Sequence, residues 1–137
     1  LDRGGEDNCA LTHLDGGWML VGHARFHDDL GWAALDYVIR CGPDWTTNSA
    51  DITGTHGETR VALRVVRTGA AWQVNGILQP QVAGATDIDL GFTPATNLMP
   101  LRRLPQIGRL RCRAAWLRVP TGAVEPLDQT YTRQRGH

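Results

Sequence analysis

The chain has 137 residues, with 14 basic and 14 acidic groups, a formal charge of zero and 42% hydrophobic residues. That length predicts one domain, residues 1–137, burying roughly two thirds of its unfolded surface. The balanced charge excludes the basic excess on which nucleic-acid binding relies.

The dominant sequence period is two, which on a strand sends alternate residues to opposite faces. Trp18 to His27 places Trp18, Leu20, Gly22, Ala24 and Phe26 on one side, and polar His23, Arg25 and His27 on the other. Ala34 to Arg40 repeats the pattern with Leu35, Tyr37 and Ile39 inward. Thr47 to His56 is a Thr-rich strand, and Arg60 to Val66 turns Val61, Leu63 and Val65 to the core. Ala71 to Val74 continues with Trp72 and Val74 on one face. Asn75-Gly76 predicts a type I′ hairpin, because both residues tolerate positive φ, and Ile77 to Gln79 is the returning strand. Asp87 to Phe92, Arg109 to Val119 and Leu127 to Arg133 complete the set. This spacing predicts an all-β antiparallel meander without βα alternation.

One short helical turn is expected near residues 94–104. Thr93 can cap it, Pro94 suits its first position, and Thr96 and Asn97 can bond the local backbone. Pro100 and Pro105 limit its length. Leu98, Leu101 and Leu104 recur every third residue, which predicts a 3₁₀-like lid with these leucines packed down.

Chemistry-bearing residues are few. Lysine is absent, which excludes Schiff-base chemistry and a P-loop, and the one serine, Ser49, lies in no Gly-x-Ser-x-Gly elbow. His23 and His27 have a spacing that binds zinc on a helix, but on a strand it separates them by about 13 Å. His13 and His56 have no ligand-rich sequence around them, and neither metal nor cofactor is expected. Asp87 and Asp89 share a strand face about 6.5 Å apart, the spacing of a carboxylate pair. A hydrolase-like enzyme using them is the alternative; a solvated face, or partners for Arg102 and Arg103, is the expectation. Arg109, Arg111 and Arg113 form a row suited to anions or to cross-strand acidic partners. Trp18, Trp32, Trp45, Trp72 and Trp116 are expected mostly in the core, with one or two lining a pocket.

Cys9, Cys41 and Cys112 form no C-x-x-C pair. They are expected as reduced, buried thiols in a cytoplasmic protein, with a Cys9–Cys41 bridge as the alternative. No apolar run reaches the about 18 residues of a membrane span, and the start lacks the apolar core of a signal peptide. Without an initiator Met, the sequence reads as a fragment.

The run Asp87-Ile88-Asp89-Leu90-Gly91-Phe92-Thr93-Pro94-Ala95-Thr96-Asn97, followed by Pro100-Leu101-Arg102-Arg103-Leu104, resembles the signature of the bacterial putative glycolipid-binding family. Ala114 to Pro120, Pro126-Leu127 with Gln129 and Tyr131, Leu35-Asp36-Tyr37, Cys41 through Trp45, and Trp72 with Asn75-Gly76 follow the same order. The resemblance implies a sheet curled into an incomplete (half) barrel, similar to carriers of lipoproteins and lipids. It also implies that the family's last strands are missing after Gln134-Arg135-Gly136-His137, leaving an edge open to self-association. The expected function is non-catalytic binding of an amphiphile, a glycolipid, on the concave face. Asp89, Thr93, Asn97, Arg102, Arg103, Trp72, Trp116 and Arg118 are the expected contacts; a structural module dimerising through its edge strand is a further alternative.

Overall fold

The computed structural model describes residues 5–105 and 108–133. The closing residues 134–137 singled out above lie outside the described residues. Seven strands pair antiparallel in chain order: β1 (Glu6–Leu14), β2 (Gly17–Asp28), β3 (Gly31–Cys41), β4 (Thr47–His56), β5 (Thr59–Thr68), β6 (Ala71–Val74) and β7 (Ile77–Leu78). β1 and β7 stay apart as edges, so the meander curls without closing into a barrel. Asn75 and Gly76 have φ of 50° and 81°, as the hairpin demands. Asn75 also accepts from the Arg64 N–H through Oδ1 and donates to the Ala62 carbonyl, which pins the turn to β5.

A second sheet holds β8 (Asp87–Leu90), β9 (Gly108–Leu117) and β10 (Val124–Arg133), in the order β10-β9-β8. β9 and β10 are antiparallel, while β8 runs parallel to β9. A parallel neighbour needs a crossover of about a dozen residues, and the corner after Leu90 supplies it. The free side of β8 is stitched to the large sheet, where the Ile88 N–H donates to Thr47 Oγ1 at 3.0 Å and the Thr47 N–H to the Thr86 carbonyl at 2.9 Å.

The alternation read from the sequence places the core. Leu20, Ala24 and Phe26 from β2, Leu35, Tyr37 and Ile39 from β3, Ile52 from β4, and Val61, Leu63 and Val65 from β5 are buried on one face. They form one cluster with Ile88 and Leu90 of β8, Phe92, Met99, Ala115 and Leu117. The concave face is therefore filled by β8 and the corner that follows it. β1 had no strand signal, because Glu6-Asp7-Asn8 is polar and the strand is almost wholly exposed. Its backbone pairing with β2 supplies what periodicity could not.

The corner follows its turn chemistry but not the predicted face. Thr93 Oγ1 accepts from the Ala95 N–H at 3.1 Å and Pro94 opens a 3₁₀ turn, Pro94–Asn97, which passes into α1 (Leu98–Arg103). Because the second part is α-helical, the buried residues are Met99 and Pro100, while Leu101 is exposed and Leu98 and Leu104 are only half-buried. A strict three-residue period puts the leucines on one line, and the 3.6-residue turn moves them off it.

Candidate functional site

The strands end together at one rim of the half-barrel. Phe26, His27 and Asp28 from the end of β2, His56 from the end of β4, Gly91 and Phe92 after β8, and Trp116 to Val119 at the end of β9 surround a cleft of about 480 Å³. Its floor is aromatic: Phe26 stacks on Phe92 at 6.0 Å between centroids, and Tyr37 meets Phe92 edge-on at 5.9 Å. Gly91 admits the Trp116 indole, since a Cβ there would stand 2.8 Å from Nε1. Across the cleft mouth the Arg118 guanidinium lies over the Trp116 ring at 4.8 Å and reaches Glu125 at 3.5 Å.

His56 is the polar residue set deepest in this wall, only 3% exposed. Its Nε2 lies 2.7 Å from Asp28 Oδ2, and its ring meets the Phe26 edge at 5.4 Å. Nδ1 is buried and has no hydrogen-bond partner among the described residues. Burial pushes the Asp28 carboxyl up, but the hydrogen bonds from the Leu30 N–H and from His56 are the leading causes that hold it below the ordinary carboxylate value. No local motif marks this pair. Asp28 and His56 meet because β3 lies between their strands, with Gly31 opposite Asp28 and Ala33 opposite His56.

Of the residues expected at a ligand site, Trp116 and Arg118 line this cleft. The others lie elsewhere. Trp72 is buried in the core and donates from Nε1 to the Ala85 carbonyl at 3.0 Å. Thr93 hydrogen-bonds Asp7 through its hydroxyl, and Tyr37 donates to the other Asp7 oxygen at 2.8 Å, tying the corner to β1. Asn97 accepts from the Tyr131 hydroxyl at 2.9 Å rather than bonding its own turn. Arg102 lies over Trp45 at 5.3 Å, and Trp45 stacks on Trp18 at 4.3 Å, forming a second aromatic group away from the cleft.

The carboxylate pair separates in chemistry. Asp87 takes the second of the two expected roles, partner of Arg103 rather than a solvated face: it is buried and held by two bonds from Arg103, at 2.7 and 2.6 Å. Asp89 is half-buried, with Gln129 donating at 3.1 Å and Thr96 at 3.5 Å. Burial raises its carboxyl pKa, and those two hydrogen bonds offset the rise only in part. Neither aspartate lines the cleft. Arg113 of the arginine row pairs with Asp128 across β9 and β10 at 3.0 Å. Cys9, Cys41 and Cys112 are free thiols, but only Cys41 is buried as expected: Cys112 is half-buried, and Cys9 is exposed because it lies on the edge strand β1. No described helix is long and apolar enough to cross a membrane.

An open half-barrel of β-strands, filled by a smaller sheet and cleft at one rim, is the class these features define. The chain belongs to the family described as "Putative glycolipid-binding", whose model matches residues 1–137. It is similar to the crystal structure of a DUF1089 family protein from Pseudomonas aeruginosa, with 28% sequence identity and a TM-score of 0.78. That match covers 93% of this chain and 72% of the other. No curated protein matches the chain.

Proposed function

We propose that the protein binds an amphiphile, a glycolipid, without converting it, in the cleft at the rim of the half-barrel. The observation that carries this reading is the make-up of the cleft. Its volume of about 480 Å³ falls within the roughly 300–1,000 Å³ of small-molecule sites. Phe26, Phe92, Leu117 and Val119 supply apolar walls, and His27, Asp28, His56 and Arg118 a few polar groups. Because β8 and Phe92 occupy the concave face, the acyl chain lies along the rim rather than down the length of the sheet. The family description agrees in ligand class. The hydrolase reading on Asp87 and Asp89 has less support, since Arg103 occupies the first and both lie outside the cleft. Three free thiols favour a reducing compartment, the cytoplasm, over a secreted location; a disulfide found in protein freshly isolated from its host would argue against it.

Native mass spectrometry of protein isolated from its host should reveal a retained lipid. Added glycolipid should change the tryptophan fluorescence, and Trp116→Ala should weaken binding by about tenfold or more. A lipid-free protein whose fluorescence no glycolipid alters would overturn the reading.

A further inference from the structure

We propose that the Asp28–His56 pair is the polar anchor of the cleft, with His56 Nδ1 accepting a hydrogen bond from a hydroxyl of the ligand head group. This rests on the cleft being the ligand site. The ionised Asp28 carboxylate only accepts, so the His56 Nε2 facing it at 2.7 Å carries the ring proton. In the neutral ring Nδ1 is then a bare lone pair. It is buried beside Phe26 with no partner among the described residues, a costly arrangement for an acceptor in apolar surroundings. The same ring lines the cleft. A ligand that fills the cleft brings the group that completes this bond.

The chemistry of the wall selects the group. A bare lone pair backed by the negative Asp28 repels a phosphate or carboxylate and attracts a neutral O–H donor. Phe26, Phe92 and Trp116 line the same cleft and supply apolar aromatic surface for the C–H side of a sugar. Nδ1 is closed to bulk solvent, so the head group parts the cleft side chains as it enters. The anchor thus prefers a sugar hydroxyl over a head group of equal bulk without donors.

The probes are octyl β-D-glucoside and its fully O-methylated ether, which keeps the ring and chain but has no hydroxyl. Both are titrated by calorimetry into the wild-type chain and into His56→Gln. The Gln amide can still donate to Asp28 and keeps the strand end in place, but it removes the Nδ1 acceptor. Wild type should bind the glucoside about tenfold more tightly than the ether, and His56→Gln should bind the two alike. If wild type binds both probes equally, or His56→Gln keeps the preference, the anchor is overturned and the cleft reading stands. If neither probe binds wild type, the cleft reading falls with it. Should His56→Gln fail to fold, long-range proton–nitrogen NMR of wild type decides: the glucoside must shift the His56 Nδ1 resonance and the ether must not.

Discussion

Arg103 and Asp87 meet fork to fork: Nη1 donates to Oδ1 at 2.7 Å and Nη2 to Oδ2 at 2.6 Å, with the arginine side chain 16% and the aspartate 1% exposed. Arg103 Nη1 also donates to the Trp45 carbonyl at 3.1 Å. Trp45 has φ of 68°, a left-handed backbone that a bulky residue adopts only under constraint. The pair therefore joins α1, β8 and the turn before β4.

Removing one partner leaves the other charge buried and unpaired. Arg103→Met should cost about 3–5 kcal/mol in urea unfolding, and the double change Arg103→Met with Asp87→Leu should recover much of that loss. A double variant as unstable as the single one would refute the argument from an uncompensated charge.

Asp89 sets a pH dependence of definite sign. Burial raises its carboxyl in the fold above the unfolded value of about 3.9. The folded chain then binds the proton more tightly, so this group makes stability fall as pH rises from the unfolded to the folded value, with a constant penalty above. Asp89→Asn should remove that slope, and its advantage over wild type should be greatest near neutral pH and shrink on acidification. Denaturant midpoints measured across that range check the sign, and an advantage that grows in acid would contradict it.

Gly22 stands opposite Tyr37 across β2 and β3, and the tyrosine ring lies over it. A Cβ at Gly22 would come within 2.2 Å of Tyr37 Cζ. Tyr37 is fully buried and bonded to Asp7, so it has no free direction in which to move. Gly22→Ala should destabilise by about 1–3 kcal/mol in thermal or urea unfolding, and a neutral result would mean that the ring swings away freely.

The thiols should differ sharply in reactivity. Burial pushes Cys41 up to about 12 and Cys112 up to about 11, with Asp87 adding to both, whereas Cys9 is exposed on β1. The thiolate is the reactive form. An Ellman titration of the native protein at neutral pH should show one fast thiol and two slow ones, and Cys9→Ser should abolish the fast phase. Three equal rates would show that Cys41 and Cys112 open readily.

Strand alternation was plain in the sequence wherever one face meets the core, as in Leu35, Tyr37 and Ile39, since burial repeats every second residue. Thr93 and Pro94 announced the corner, and Asn75-Gly76 its hairpin, because capping and positive φ are local demands. β1 stayed hidden because an exposed edge strand carries no apolar period. The leucine lid misled because a six-residue helix is too short for its period to be read.

The sequence by itself determined the meander, its inward face, the turn after β6 and the family signature, all of which rest on neighbours in the chain. Only the tertiary structure decided the chemistry of the cleft. Asp28 and His56 lie 28 positions apart and come within 2.7 Å only through the register of β2, β3 and β4. The parallel seating of β8 likewise sent Asp87 inward to Arg103 rather than out to water. Strand register is a long-range property, set by how whole faces pack, and no short stretch of residues carries it.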